Sequence, residues 1–287
     1  MKIDSGYLVL QHEDTQLSLD AARGGGILEF SWRGRPIFRA TPQSAGDDPL
    51  ALACFPMVPY ANRIARGRFK FGARAVRLKR NWEGDPHPLH GQGWRSPWRV
   101  VAATTSSALL TFEGGADEWP WRYRAEQHLQ LSQGALSVRL SIENLAQSAM
   151  PVMLGLHPHF CDPDQAQLQA STPRVWLVDN ASLPIEEVAT PLAWSFDRAR
   201  SITAVPLDHC FADWNGSAVI RWPDRRIDIQ ATNCHYLHVY APPGRDFFCV
   251  EPLSAAAGAL NRDRGEATVV HTGARFEIQV SFKVGAA

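Results

Sequence analysis

Glu251 closes the apolar run Phe247-Phe248-Cys249-Val250 and stands immediately before Pro252-Leu253. A carboxylate at the end of a buried strand costs free energy without a partner, and desolvation lifts its pKa toward that of a working general base. A buried Glu satisfied by backbone donors fits the same residues. The segment Gly155-Leu156-His157-Pro158-His159-Phe160 is the second place where side-chain type suggests chemistry. Residues two apart on an extended chain face one side, so His157 and His159 suit either an acid with its neighbour or paired metal ligands. No HExxH motif and no Cys/His cluster supplies a third and fourth ligand at a recognisable spacing, which argues against a metal.

Three further segments carry polar groups that strand periodicity does not require. In Phe55-Pro56-Met57-Val58-Pro59-Tyr60-Ala61-Asn62-Arg63-Ile64, two prolines stiffen a loop that ends in an amide and a guanidinium. Asn62 and Arg63 offer several donors in fixed directions, suited to sugar hydroxyls, although a surface Arg paired with a carboxylate is the plainer reading. Pro88-Leu89-His90-Gly91-Gln92-Gly93-Trp94 sets His90 before glycines that let a ligand approach the backbone, and Trp94 has a face for a pyranose ring. A structural His beside a core Trp is the alternative there. Asp208, in Leu207-Asp208-His209-Cys210-Phe211, either accepts from ligand hydroxyls or caps a turn.

The elements that must position these residues read as strands. Tyr123, Ala125, Gln127, Leu129 and Leu131 alternate with mostly polar neighbours, and after Ser132-Gln133-Gly134 the pattern resumes with Leu136, Val138, Leu140 and Ile142, which is a hairpin. Phe276, Ile278, Val280, Phe282 and Val284 alternate with polar residues in a last, half-buried strand. Shorter strands are expected at 17–19, 108–112, 219–222, 227–231 and 237–240. Cys161-Asp162-Pro163-Asp164 reads as a turn and 181–199 as a long loop. Twenty prolines and 21 glycines spread along the chain leave little room for long helices. Neither a linker nor an internal repeat divides the 287 residues, so the expectation is one all-β domain over 1–287, a large sandwich of packed antiparallel sheets.

Composition removes several function classes. Lys+Arg and Asp+Glu both number 29, for a formal net charge of zero, so nucleic acid is disfavoured as a partner. The apolar stretch near the N-terminus is too short for a signal-peptide core, and no run approaches the ~18 apolar residues of a membrane span. A cytoplasmic protein with no membrane partner, monomeric or homodimeric, is expected. Five scattered cysteines without CxxC spacing read as reduced core residues. Gly24-Gly25-Gly26 lacks both the spacing and the following helix of a nucleotide fingerprint.

Taken in order, PYANRI with Asn62 and Arg63, LHG with His90, GLHPHF with His157, LDHCF with Asp208 and VEPLSAAAGALNR with Glu251 and Asn261 resemble the aldose 1-epimerase (galactose mutarotase) family from about Gly24 to about Asn261. The resemblance implies a supersandwich fold, a monosaccharide substrate, no cofactor and interconversion of the α and β anomers of a free aldose. It places the general base on Glu251, the general acid on His157, substrate contacts on Arg63, His90 and Asp208, and a supporting contact on Asn62. Where the family commonly has Tyr two residues after the acid, this chain has His159. The Glu251 segment is closer to the branch reading E-P-x-S than to the galactose-specific one. Set against this are a glycoside hydrolase using Glu251 and Asp208 as a carboxylate pair, a carbohydrate-binding module drawing on the ten tryptophans, and a phosphosugar epimerase using Arg66 and Arg68. The mutarotase reading expects Glu251 and His157 on opposite sides of a one-sugar pocket.

Overall fold

Alternation along the chain becomes two large antiparallel sheets in the computed structural model, which describes residues 2–4, 7–115, 118–262 and 266–287. Among the described residues the only helices are single 3-10 turns. Tyr123–Ser132 pairs with Ala135–Asn144 from Tyr123 opposite Asn144 to Ser132 opposite Ala135, so the expected hairpin forms. Gly134 sits at its turn with φ 65°, a conformation that favours glycine. Arg275–Ala286 pairs with Ala135–Asn144 on one side and with Arg225–Thr232 on the other, within a nine-stranded sheet. The second sheet has twelve strands. Near its middle lie Gly155–Cys161, Phe247–Leu253, Tyr236–Ala241 and Leu207–Ala212, side by side in that order.

Aromatic contacts carry the packing of one sheet on the other. Phe282 of the nine-stranded sheet meets Phe38 edge to face at 5.1 Å and Phe160 at 6.2 Å, both on the twelve-stranded sheet. All three rings are fully buried. Edge-to-face pairs add to the area term, and truncating such a ring leaves a cavity that neighbours in three strands cannot fill. Phe282→Ala is therefore expected to cost about 3–5 kcal/mol, seen as a lower denaturant midpoint with an unchanged m-value.

The period of two explains how the twelve-stranded sheet serves both core and site. Every residue of Gly155–Cys161 is buried, because both faces are covered. Phe160 points into the core between the sheets, as do Phe248, Val250, Leu237 and Val239. Their alternates, His157, His159, Cys249, Glu251 and His238, occupy the opposite face. A second apolar cluster, including Phe55, Met57, Trp94, Trp176 and Leu253, is separate from the main core and packs with this face.

Two expectations need correction. Residues 181–199 are not one loop: Pro184–Ala189 pairs with Arg174–Val178 as an edge strand. Ile185 is 63% exposed there, and with neither face buried the segment shows no alternation to read. Trp222 lies just past the strand Ser217–Arg221, its backbone N–H still donating to the Arg225 carbonyl at 2.8 Å. The 161–164 turn is present as a 3-10 turn, Pro163–Gln165, after Cys161 ends its strand. All five cysteines are buried and free. No helix among the described residues is long and apolar enough to cross a membrane.

Candidate active site

Strand register sets the site out as two rows of side chains. His157 faces Phe55 across one strand boundary, and Glu251 faces His238 across another. Because Gly155 pairs with Leu253 and His159 with Cys249, His157 and Glu251 are also opposite each other. The first row therefore runs Phe55, His157, Glu251, His238, Cys210, and the second runs His159, Cys249, Tyr240, Asp208. Nε2 of His157 is 3.4 Å from Oε1 of Glu251. The two are thus neighbours rather than facing partners across a sugar's width, contrary to the expectation of opposite sides. A pyranose does not need that width, since O1 and the ring oxygen are both bonded to C1.

His238 was not singled out in the sequence. Its Nε2 is 2.8 Å from Oδ1 of Asp208, and Asp208 also accepts from the Ser182 hydroxyl at 3.0 Å. Burial opposes a charge on His238, but Glu251 across the strand boundary and the Asp208 hydrogen bond outweigh it and raise the pKa well above the ordinary value. Asn62 Nδ2 lies 3.5 Å from His238 Nδ1, a contact that suits the neutral ring. At that length it is marginal, and the short bond to Asp208 decides for the imidazolium. For Asp208, burial alone would raise the pKa; the His238 bond and charge, Arg63 and Ser182 together hold it well below the usual range.

Loops complete the ring of polar groups. Asn62 and His90 both adopt positive φ, 61° and 54°, and lock together: His90 N–H donates to the Asn62 carbonyl, and Asn62 N–H donates to His90 Nδ1, each at 3.1 Å. With Nδ1 accepting, the His90 proton sits on Nε2. Burial foremost, with the charges of Arg63 and His238 adding to it, keeps this ring neutral. Gly91 follows at φ 74°, and a Cβ there would stand 2.4 Å from the Val58 carbonyl oxygen. The glycine thus serves the approach of one loop to another, not of a ligand to the backbone. Trp94 is fully buried, its indole N–H donating to the carbonyls of Leu89 and Gly91, so it is a core residue and not a sugar platform.

Arg63 is aimed by Asp85, whose Oδ2 accepts from Nε at 2.6 Å while Oδ1 accepts from the His87 backbone. Its charge reaches Glu251, Asp208 and His90. Asn261 braces the same loop from outside the ring, accepting from Ala65 N–H and donating to the Arg68 carbonyl, each at 2.7 Å. Arg66 and Arg68 are exposed beyond it. Burial lifts Glu251 to about 7, against the lowering by His238 and Arg63, and lowers His157 to about 3, with His238 adding to the effect. Loss of the Asp85 carboxylate frees Arg63 to swing out. Asp85→Asn is expected to lower kcat/KM about tenfold, one charge-assisted hydrogen bond's worth, through kcat more than through KM; an unchanged kcat/KM would contradict a positioning role.

With that geometry in place, the comparisons with known proteins are decisive for the family. The family model for aldose 1-epimerase matches residues 8–283. The chain belongs to the aldose 1-epimerase family. It is 32% identical over 261 residues to the uncharacterized protein YphB of Escherichia coli (strain K12), covering 87% of this chain and 89% of that one. The crystal structure of a proposed aldose 1-epimerase from Escherichia coli K12 superposes with a TM-score of 0.90 at 29% identity, over 98% of this chain and 99% of the other. The fold is also shared with a galactose mutarotase-like protein from Clostridium acetobutylicum, with a TM-score of 0.86 at 18% identity, covering 98% and 95% of the two chains. Family membership supports a carbohydrate epimerase of mutarotase type.

In this family member the sequence-predicted residues Glu251, His157, Asp208, His90, Asn62 and Arg63 converge on one face of the twelve-stranded sheet. His238, Ser182 and Asp85 join them without having been anticipated. Asp85 had a legible local signal, the Asp-Pro-His turn in which Oδ1 accepts from the residue two further on. For His238 and Ser182 no local pattern exists, because their partners are far away in sequence.

Proposed function

We propose that the chain, acting as one domain, is an aldose 1-epimerase that interconverts the α and β anomers of a free aldose without a cofactor, with Glu251 as general base and His157 as general acid. The observation that carries this reading is the 3.4 Å contact of His157 with Glu251 inside a ring of polar groups. Glu251 takes the proton of the anomeric hydroxyl as the bond from C1 to the ring oxygen breaks, and His157 delivers a proton to that oxygen. Rotation about C1–C2 exposes the other face of the aldehyde, and the two groups exchange roles on closure. Arg63, His90 and Asp208 hold the hydroxyls, Arg63 and neutral His90 donating to oxygens that gain negative charge.

The pair works with one shared proton. For catalysis it must sit on His157, leaving Glu251 ionised; burial favours Glu251 as its holder, and the attraction between the resulting ions at 3.4 Å opposes that preference. Above about 7 the shared proton is lost and no acid remains. Accordingly, kcat/KM is expected to fall with rising pH through that value, by about tenfold per unit; a rate that climbs through it would contradict the shared-proton mechanism.

A hydrolase using Glu251 with Asp208 has the imidazole of His238 standing between its carboxylates in the strand order, where a scissile oxygen would have to lie. A binding module has no use for a base lifted to about 7. Five reduced, buried cysteines support a cytoplasmic location. Polarimetry on freshly dissolved α-anomers of free, phosphorylated and sulfonated aldoses tests the proposal. Acceleration on free aldoses is expected, tight binding without acceleration would favour the module, and preference for a charged sugar would redefine the substrate.

A further inference from the structure

We propose that His157, His159 and Cys249 form a site for a borderline transition-metal dication, zinc foremost, and that its occupancy fixes His157 as a ligand and inhibits mutarotation reversibly. The inhibitory half rests on the function proposed above; the binding half does not. His159 and Cys249 are paired across adjacent strands, and His157 lies two residues along on the same face. The ligand atoms of the three all lie within 4.8 Å of one another, the only such group among the described residues. The two imidazoles are tilted by 31° with centroids 4.8 Å apart.

A second observation points to a ligand. Nδ1 of His157 and Nδ1 of His159 are both buried and have no hydrogen-bond partner in the protein. An unsatisfied buried polar atom costs about 1–3 kcal/mol, and a cation bound at both Nδ1 atoms relieves both at once. Sequence spacing gave two ligands and no third, because the third is on the neighbouring strand.

Zinc takes nitrogen at about 2.0–2.1 Å and thiolate sulfur at about 2.3 Å in a tetrahedron, so the three donors must draw together by small rotations of the side chains. A donor set of two imidazoles and one sulfur selects zinc, cobalt or copper over magnesium or calcium. Ligation through Nδ1 leaves Nε2 of His157 facing the Glu251 carboxylate, the outer partner that orients ligating histidines. His157 is the most exposed of the three. As the metal binds, the Cys249 thiol and His157 Nδ1 each give a proton to solvent, while Nε2 holds the proton it shares with Glu251. Arg39, whose charge acts on both His159 and Cys249, opposes the cation and keeps binding reversible.

Cobalt(II) titration of the metal-free full-length chain tests the site by its colour. A thiolate-to-cobalt charge-transfer band saturating at one metal per chain, and displaced by zinc, is expected. Cys249→Ala should lose the band, keep its basal mutarotation, and resist the zinc concentration that slows the wild type about tenfold. His159→Gln should weaken the band without the loss of a thiol. Absence of the band overturns the site, whether or not the chain mutarotates. A band with unchanged mutarotation, or equal zinc inhibition in Cys249→Ala, overturns the capture of His157.

Discussion

Glu251→Gln is expected to lower kcat/KM for anomer interconversion by about 10³-fold, within the range general acid–base catalysis contributes, and to make the protein more stable at alkaline pH. The side chain is 2% exposed, and burial holds its proton up to about 7. Between the ordinary value of 4.5 and about 7 the folded chain keeps a proton that the unfolded chain has released. Folding stability therefore falls as pH rises through that window. Glutamine has no proton to lose, so the variant should gain about 3 kcal/mol above the window and nothing below it. Chemical denaturation at the two ends of the window measures this. A variant equally stable at both ends, relative to wild type, would show that Glu251 carries no buried-charge penalty.

His238→Gln has the second largest expected effect, on the pH profile. The imidazolium faces Glu251 directly across a strand boundary, while Asp208 lies one strand further away. Removing the cation therefore raises Glu251, and the Asp208 carboxylate left without its partner pushes in the same direction. Glu251 rises above its already raised value, and His157 loses one of the two influences that depress it. Both changes hold the shared proton to higher pH. The alkaline limb of kcat/KM should move upward, and Asp208, released from its partner, should leave neutral-pH kcat/KM about tenfold lower, the share of one charge-assisted hydrogen bond. A profile unmoved on the pH axis would mean that His238 acts only on packing. The stability of the variant should drop most below the ordinary histidine value, where the imidazolium contributes fully, and least at alkaline pH.

The legible parts of this protein are those whose signal is periodic or local. The 123–144 hairpin and the last strand announce themselves because one face of each is buried and the other is not. The edge strand Pro184–Ala189 is silent because neither face is covered, and Glu186 and Glu187 sit in its middle. Glu251 and His157 stand out as polar residues in segments otherwise buried on both faces. What the sequence could not convey is register. Only the pairing of Glu251 with His238, and of His159 with Cys249, reveals a buried imidazolium and a third metal-ligand candidate. The roles that failed, Trp94 as a sugar platform and Gly91 as a ligand approach, failed for one reason: the 88–94 loop packs inward on Val58 and uses those residues to hold itself.

The central claim is that Glu251 and His157 together move the proton between the anomeric hydroxyl and the ring oxygen of a free aldose. Magnetization exchange between the α and β anomer signals of an aldose at equilibrium measures that step alone, with wild type, Glu251→Gln and His157→Gln compared at equal concentration. Exchange is expected to be fast with the wild type and to fall toward the spontaneous rate in both variants while their folded spectra remain intact. Exchange that persists undiminished in either variant, or that the wild type does not accelerate for any free aldose, would contradict the account.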